Sequence, residues 1–298
     1  LGDKAPTANN GKFKDWGYEG SINYNGKIGE VKYHVGGNIT FTRNELTDYG
    51  GTTVLKSGYT STQQGYSLNS IFGLRYGGKI QNEEQLKAYM ARYYPNNGIN
   101  MPANLRVGDN MYCDENGDGV LDYNDYIYLG SDIPEISYSF NAGASWKGID
   151  FNIVFQGSAN RFVYRGIDSW TVPFRTPYTN STTSSIGNTW SETNPNAYYA
   201  PYTMDANIIN YNYQANSQTA QDGRYIRLKN LTVGYNLPAG LLKKIGFVNM
   251  ARIYFTGEDL WESTKISDGW DPEAKRDASG TGRYPFSRNF TFGVNLTF

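Results

Sequence analysis

The sequence of 298 residues has little cysteine, histidine or net charge and no long apolar run. Its only cysteine, Cys113, excludes an intrachain disulfide framework, and its only histidine, His34, removes histidine triads and His-rich metal sites. A formal net charge of −1 argues against nucleic-acid binding, because a phosphate-binding surface needs a clear excess of Lys and Arg. No window approaches the roughly 18 consecutive apolar residues of a spanning helix, which excludes a helical membrane protein.

Recognisable catalytic machinery is also absent from the sequence. Carboxylate pairs such as Glu83-Glu84 and Glu258-Asp259 have the character of solvated loop charges. No phosphate-binding glycine loop lies between a strand and a helix. We therefore predict that the chain is not an enzyme and has no catalytic residues.

Glycine and aromatic residues are abundant, with 34 Gly, 26 Tyr, 14 Phe and 6 Trp. They accompany a polar mean hydropathy of −0.60. Strands of a membrane β-barrel alternate apolar and polar residues, so their hydropathy averages to such polar values. The composition is therefore compatible with a membrane β-barrel.

Period-two alternation of apolar and polar residues marks seven segments: 16–24, 31–42, 136–146, 149–156, 225–237, 248–257 and 289–298. The first two flank Asn25-Gly26, a hairpin signal. At about 9 to 12 residues these strands exceed the usual length of roughly 5 to 6 and match the roughly 9 to 11 that cross a bilayer. The polar face of these strands is rich in Ser, Thr, Asn and Gly, which suits a water-filled lumen.

The connections between these strands alternate sharply in length. Those at 25–30, 147–148 and 238–247 are short, whereas those at about 43–135, 158–224 and 258–288 are long. Outer-membrane barrels have this asymmetry, with short periplasmic turns and long extracellular loops. We therefore predict an all-β fold, a transmembrane antiparallel β-barrel. The alternative, a large soluble β-sandwich, predicts shorter strands and loops of similar length at both ends.

Seven strands are an odd number, whereas bacterial single-chain barrels have an even number with both termini periplasmic. The N-terminus has no basic segment followed by an apolar one, so it is not a signal peptide. We predict that residues 1–298 are the C-terminal part of a larger β-barrel domain. The terminal Phe298 closes an alternating strand and resembles the C-terminal aromatic residue that barrel-assembly machinery recognises.

The segment 114–125 has the pattern of an EF-hand Ca²⁺ loop. Oxygen-bearing side chains occupy loop positions 1, 3, 5, 9 and 12, glycine occupies position 6, and position 7 offers a backbone carbonyl. The predicted ligands are Asp114, Asn116, Asp118, Val120, Asp122 and Asp125. Aspartate at position 12 is shorter than the usual glutamate, and the alternative is an Asx-rich turn without metal. Because the flanks do not resemble paired EF-hand helices, a structural clamp is favoured over a calcium sensor.

The long loops carry aromatic side chains interleaved with Asn, Ser and Thr. Flat rings beside amides and hydroxyls suit stacking and hydrogen bonding to sugars or peptides, and also contacts with a partner protein. Packing within the loops is the equal alternative. The candidate substrate or partner residues are Trp170, Trp190, Tyr198, Tyr199 and Tyr202.

Several separated motifs carry a family resemblance. The run VGDNMYCDENGDGVLDYNDYIYLGSDIPEISYSFNAGASWKGIDFNIVFQG is similar to the metal-loop and hairpin segment of SusC/RagA-like TonB-dependent outer-membrane transporters of Bacteroidetes. So are GRYIRLKNLTVGYNLP, IYFTGEDLW, GWDPEA and FTFGVNLTF, in the same order. The GEDL stretch departs from the more usual Gly-Gln-Asn-Leu, which does not threaten the fold. The resemblance covers most of the chain, from DWGYEGSINYN onward.

The resemblance implies a plugged barrel of roughly 22 strands, of which this chain would be the C-terminal third. It also implies a SusD-like surface lipoprotein as partner, energy from TonB, and a plug that lies upstream of this chain. The expected function is import of nutrients across a Gram-negative outer membrane. Oligosaccharides are favoured as the cargo over peptides. The alternatives are a passive porin or an adhesin on a barrel anchor, and a secreted glycan-binding β-protein.

Overall fold

The computed structural model describes residues 11–49, 61–95, 98–165, 181, 183–266, 269–274 and 287–298. These described residues contain thirteen strands and three α-helices. They are β1 (Lys12–Ile28), β2 (Val31–Asp48), β3 (Ser70–Gly73), β4 (Tyr76–Lys79), α1 (Glu83–Tyr93), β5 (Asn110–Tyr112), β6 (Ile127–Ser131), β7 (Ile136–Trp146), β8 (Ile149–Ala159), β9 (Phe162–Tyr164), α2 (Ala206–Asn212), β10 (Ala220–Asp222), β11 (Tyr225–Asn236), α3 (Ala239–Ile245), β12 (Met250–Thr264) and β13 (Asn289–Thr297). Short 3₁₀ helices cover Tyr123–Asp125 and Thr183–Ser185.

Seven long strands form one antiparallel sheet in the order β1-β2-β7-β8-β11-β12-β13, which is also their order in the chain. Each of the seven predicted strands is thereby confirmed. The other strands pair only among themselves, in three two-stranded sheets. The chain therefore builds a simple meander wall in which each strand pairs with the next.

The two faces of the wall differ in chemistry, as the alternation predicts. One row across the sheet joins Phe151, Val233, Phe255 and Phe292. The next row joins Asn152, Thr232 and Thr256, and the two threonine hydroxyls lie 3.2 Å apart. On β13 the apolar residues are solvent-exposed, with Phe292 80% exposed. An exposed apolar face opposite a polar one suits a wall between lipid and water.

His34 shows how the polar face is packed. It pairs with Gly143, which in turn pairs with Asn152 on the next strand. A Cβ atom on Gly143 would lie 2.3 Å from Cε1 of the histidine ring, so only glycine leaves the ring room there. His34 Nε2 consequently reaches Asn152 Oδ1 at 3.2 Å. The histidine has a structural partner two strands away, which its sequence neighbours did not reveal.

At the end of the sheet that carries the long connections, the strands extend beyond the bounds that the alternation predicted. β2 reaches Asp48, paired with Lys12, and β12 reaches Thr264, paired with Tyr225. The long connections are therefore residues 49–135, 160–224 and 265–288, a correction to the predicted bounds. The terminal stretch of β2 has one apolar residue, Leu46, and that of β12 has two adjacent ones, Leu260 and Trp261, so neither stretch gives a period-two signal.

The first two long connections fold together into one unit, called the connection unit below, which comprises the described residues of 61–131 and 183–222. Its core is a cluster of buried side chains from both connections, among them Phe72, Leu74, Ile80, Tyr112, Leu121 and Tyr211. The predicted loops thus contain a small domain with its own hydrophobic core, because their apolar residues bury one another.

The helices follow ordinary capping rules. The Asn82 side chain accepts a hydrogen bond from the Gln85 amide at 2.8 Å and begins α1, while Asp205 begins α2 in the same way. Pro95 lies just beyond the end of α1, where it cannot continue the helix. Within the described ranges, no helix has the length and apolarity needed to cross a membrane.

Candidate functional site

The loop 114–125 lies between β5 and β6, ends in the 3₁₀ helix at Tyr123–Asp125 and forms a closed network of hydrogen bonds. Asp114 Oδ1 accepts from the Gly117 amide at 2.7 Å, and its Oδ2 accepts from the Gly119 amide at 3.0 Å. Gly119 has φ of +84°, a conformation that favours glycine. A hydrogen bond thus joins loop positions 1 and 6.

The twelfth position closes the loop. Asp125 is fully buried, and its Oδ1 accepts from the Glu115 amide at 2.9 Å while its Oδ2 accepts from the Asp122 amide at 2.8 Å. The carboxylate of Asp122 caps the 3₁₀ helix through the Asn124 amide at 2.6 Å. The Asp125 carboxylate therefore joins the beginning of the loop to its end through hydrogen bonds.

Two arginines from the connection unit hold the start of the loop. Arg92 Nη2 on α1 lies 3.2 Å from Asp114 Oδ2, and Arg75 forms a two-bond pair with Glu115 at 2.5 and 3.1 Å. Burial alone would raise the pKa of Asp114, but the hydrogen bonds from the Gly119 and Gly117 amides and the contact with Arg92 together outweigh it, so the net pKa is below the usual value. The Arg75 hydrogen bonds likewise lower the pKa of Glu115. Both carboxylates are charged at neutral pH.

The donor chemistry of the loop fits a hard divalent cation. Every predicted ligand offers oxygen, from carboxylates, the Asn116 amide or the Val120 carbonyl. Among the described residues, no three His, Cys, Asp or Glu side chains converge into a metal cluster. The aspartate oxygens instead accept amide hydrogen bonds within the loop. The residues fit Ca²⁺ by type, and the metal remains a prediction.

The loop is docked against the core of the connection unit. Leu121 is fully buried, and its carbonyl accepts from the Ile99 amide at 3.0 Å. A Cβ atom on Gly98 would lie 2.3 Å from the Asp122 Cβ, so the backbone passes close to the loop at that glycine. The loop therefore belongs to the packed unit.

A buried polar network joins the two connections. Asn212 at the end of α2 accepts from the Asn110 amide at 2.7 Å and donates to Asp109 Oδ1 at 2.8 Å. Tyr89 and Tyr211 hydroxyls lie 2.8 Å apart. Lys79 Nζ donates to Asn110 Oδ1 at 2.6 Å and is only 3% exposed. Sequence reasoning missed this network because its partners lie between 31 and 122 residues apart.

Burial of Lys79 gives the connection unit a pH dependence. Burial lowers the pKa of Lys79 from 10.5 to about 7, against an opposing effect of nearby Asp109. The unfolded chain keeps this proton up to about pH 10, so between pH 7 and 10 it binds more protons than the folded unit. Stability therefore rises with pH. We expect a gain of about 2 kcal/mol between about pH 7 and about pH 9.

Pulse proteolysis of the full-length protein at the two pH values, with fragments of 61–131 quantified by mass spectrometry, measures this gain. Lys79→Met should remove the pH dependence. Lys87→Met, at an exposed position on α1, should retain it. An unchanged pH dependence in the Lys79 variant would contradict the assignment.

The predicted aromatic residues have different surroundings. Tyr199 is 3% exposed and packs edge-on against Tyr198, with ring centroids 4.9 Å apart. Trp190 lies half-buried against Gly108, where a Cβ atom would fall 2.6 Å from its ring. Tyr202 is 45% exposed. Trp170 lies outside the described residues. Tyr199 therefore contributes to the packing of the connection unit, and Tyr202 offers the most accessible ring of the described four.

A second feature missed by sequence reasoning is a charge cluster around Arg227 on β11. Arg227 is 1% exposed and contacts three carboxylates, those of Glu262 on β12 and of Asp271 and Glu273 in the third connection. Lys229 also reaches Glu273 at 3.0 Å. These residues belong to the motifs RYIRLKN, GEDLWE and GWDPEA. The motifs are far apart in sequence, so nothing in the sequence indicated that their side chains are in contact. The cluster pins the third connection to the wall.

Comparison with known proteins places these features in context. No protein-family model matches the chain. The TonB-dependent receptor P26 of Formosa agariphila is 27% identical over 320 residues, covering 100% of this chain and 30% of its own length. The TonB-dependent receptor SusC of Bacteroides thetaiotaomicron is 24% identical, covering 98% of this chain and 27% of its own length. The resemblance to SusC/RagA-like TonB-dependent transporters is confirmed.

Solved structures extend the likeness to the fold. A chain in the structure of the RagAB peptide transporter matches with a TM-score of 0.70 and 22% identity, over 97% of this chain and 29% of that chain. The predicted fold class, antiparallel strands that form part of a larger β-barrel, is confirmed. The names of these proteins are those of receptors and transporters, in agreement with the prediction that the chain is not an enzyme. The chain spans about 30% of the length of the relative that it matches over its whole sequence.

Proposed function

We propose that the chain supplies part of the wall and surface loops of a TonB-dependent outer-membrane transporter that imports oligosaccharides or peptides. The observation that carries the proposal is the meander of seven strands, exposed and apolar on one face and polar on the other. Its two ends differ, with short turns at one and the folded connection unit at the other. Such a wall suits a bilayer with the short-turn end in the periplasm.

The proposed transporter works with partners. A SusD-like surface lipoprotein would dock on the extracellular side, where the connection unit lies, and TonB would supply energy through a region outside this chain. The names of the relatives, TonB-dependent receptors, support energy coupling. The named RagAB peptide transporter supports import of peptides, and the exposed aromatic and amide groups of the connections support oligosaccharides equally.

We further propose that the loop 114–125 binds Ca²⁺ as a structural clamp. Bound Ca²⁺ would neutralise the clustered loop carboxylates, and the loop side chains would supply its oxygen ligands. The loop is tied to α1 through Arg92, to the residue before β4 through Arg75 and to Ile99 through Leu121, so fixing it would stiffen the connection unit.

Copurification tests the proposal. The full-length protein, tagged at its own chromosomal locus, would be extracted from outer membranes, and its partners and bound molecules identified by mass spectrometry. We expect a SusD-like lipoprotein and an oligosaccharide or peptide, and growth on that nutrient should require the transporter and TonB. Recovery in the soluble fraction without detergent, or TonB-independent uptake, would refute the proposal.

Tyr202 provides a test of cargo binding by the connection unit. Its ring is accessible, and its hydroxyl donates to Ser185 Oγ at 3.3 Å. We expect Tyr202→Ala to weaken binding of the copurified cargo about fivefold, since a stacked ring contributes roughly 1 kcal/mol. Tyr202→Phe should retain most of the affinity. Isothermal calorimetry on the full-length protein measures both variants.

Ile186→Ala is the matched control for Tyr202→Ala. Ile186 is also exposed, at 76%, but has no aromatic ring to stack on a ligand. We expect its replacement to leave cargo affinity unchanged. Equal affinity in the Tyr202→Ala variant and the wild type would show that Tyr202 does not contact cargo.

A further inference from the structure

The turn between β11 and β12 carries exposed apolar side chains on a short helix. Leu241, Ile245 and Phe247 are 48%, 46% and 67% exposed. Leu241 and Ile245 are four residues apart and therefore share one face of α3. Leu242 is buried and holds the helix against the protein. The helix is thus fixed in place while its apolar face stays uncovered.

This apolar face continues onto the outer face of the wall. The Phe247 ring stacks on Phe298 at the end of the chain, with centroids 6.1 Å apart and ring planes 8° apart. An apolar groove of about 510 Å³ lies nearby on the strands, lined by residues that include Ile149, Val233, Tyr235, Ile253, Phe255 and Phe292. Tyr235 and Ile149 lie at the short-turn ends of their strands, so the groove opens close to α3.

Positive charge accompanies the apolar surface. Lys243 and Lys244 are exposed on α3, and neither forms an ion pair with another residue in the described part of the chain. Lys147 lies in the neighbouring turn, 5.2 Å from the Trp146 ring and 3.3 Å from Glu30. Lysines next to exposed Leu, Ile and Phe side chains are typical of protein surfaces that lie on anionic lipid, where the aliphatic stems bury and the ammonium groups reach phosphate.

We propose that this end of the wall binds an anionic phospholipid of the adjacent membrane leaflet. Its headgroup phosphate contacts Lys243 and Lys244, and an acyl chain lies in the groove beside Tyr235. The proposal rests on the membrane placement in the proposed function and adds a specific lipid-binding site. Lipid is chosen over a protein occupant because the apolar face is continuous with the outward face of the strands and the lysines complement phosphate charge.

The test uses the full-length transporter, freed of lipid in detergent and reconstituted in phosphatidylcholine vesicles with or without phosphatidylglycerol. Native mass spectrometry after re-extraction counts the phosphatidylglycerol that each protein retains. We expect the double variant Lys243→Gln/Lys244→Gln to bind phosphatidylglycerol about tenfold more weakly than the wild type, since each lysine near an anionic surface contributes a severalfold gain. Lys87→Gln, on the connection unit, should match the wild type.

Leu241→Ser/Ile245→Ser should also reduce retention, with folding of every variant checked by heat-modifiable gel mobility. Equal retention by the lysine variant and the wild type would overturn the proposal. A dimer in the native spectra that depends on Leu241 and Ile245 would also overturn it, because a second copy would then cover the face. Failure of the wild type to insert into vesicles would refute the membrane placement itself, a separate result.

Discussion

Replacing Asp118 with Asn should lower the Ca²⁺ affinity of the full-length protein about 100-fold, because EF-hand affinity depends steeply on the number of ligand charges. The substitution removes one charge and one exposed hydrogen bond, which Asp118 Oδ2 accepts from Asn116 Nδ2 at 3.0 Å. Asp118 Oδ1 accepts from the Val120 amide at 2.8 Å, and an asparagine oxygen can accept the same hydrogen bond. Loss of affinity would therefore report on the metal rather than on the fold of the loop.

Chelation of Ca²⁺ from the wild type should have a matching effect on stability. A ligand present at about 100 times its dissociation constant stabilises the folded state by about 2.7 kcal/mol. We expect proteolysis within 61–131 to accelerate on chelation in the wild type, and to be already fast in the Asp118→Asn variant. Isothermal calorimetry and limited proteolysis measure the two effects independently.

Glu192→Gln is the control for the loss of charge. Glu192 is exposed and lies in the second connection, outside the loop. Its replacement should leave Ca²⁺ affinity unchanged. Absence of Ca²⁺ binding by the wild type in calorimetry and metal analysis would refute the site, and the segment would then be an Asx-rich turn.

Replacing Arg227 with Met should destabilise the attachment of the third connection by about 3 kcal/mol, because removing one partner of a buried ion pair leaves uncompensated charge. Three carboxylates would lose their shared cation. They are 21 to 27% exposed, which is why the expected cost lies at the lower end of the usual range for buried pairs. Arg227→Lys should cost less, since it keeps the charge but loses the guanidinium fork that joins several carboxylates.

Hydrogen exchange of the β12 amides in the full-length protein measures this destabilisation as local opening. Arg224→Met is the matched control. Arg224 lies three residues away and also pairs with a carboxylate, that of Asp222, but it is 60% exposed. Exposed pairs contribute about 0 to 1 kcal/mol, so this variant should behave nearly as the wild type. Similar exchange in both variants would show that Arg227 does not hold the third connection.

The sequence by itself determined the seven strands of the wall and the internal order of the calcium-type loop. A strand between lipid and water must alternate apolar and polar residues, so each strand can be identified from the period-two pattern of its own residues. The loop is equally local, because the bonds of Asp114 to Gly117 and Gly119 span only a few residues. Helix α1 also had a local signal, Asn82 before a helical segment, which the polar character of the long connection obscured.

Only the tertiary structure decided what the connections do. The contact of Tyr89 with Tyr211 joins residues 122 positions apart, and that of Arg227 with Asp271 joins residues 44 positions apart. Neither pairing follows from any local period, because buried polar partners are selected by three-dimensional proximity rather than by spacing in the chain. For the same reason the sequence does not distinguish Tyr199 from Tyr202. In the folded structure Tyr199 is a buried packing residue, whereas the ring of Tyr202 is accessible.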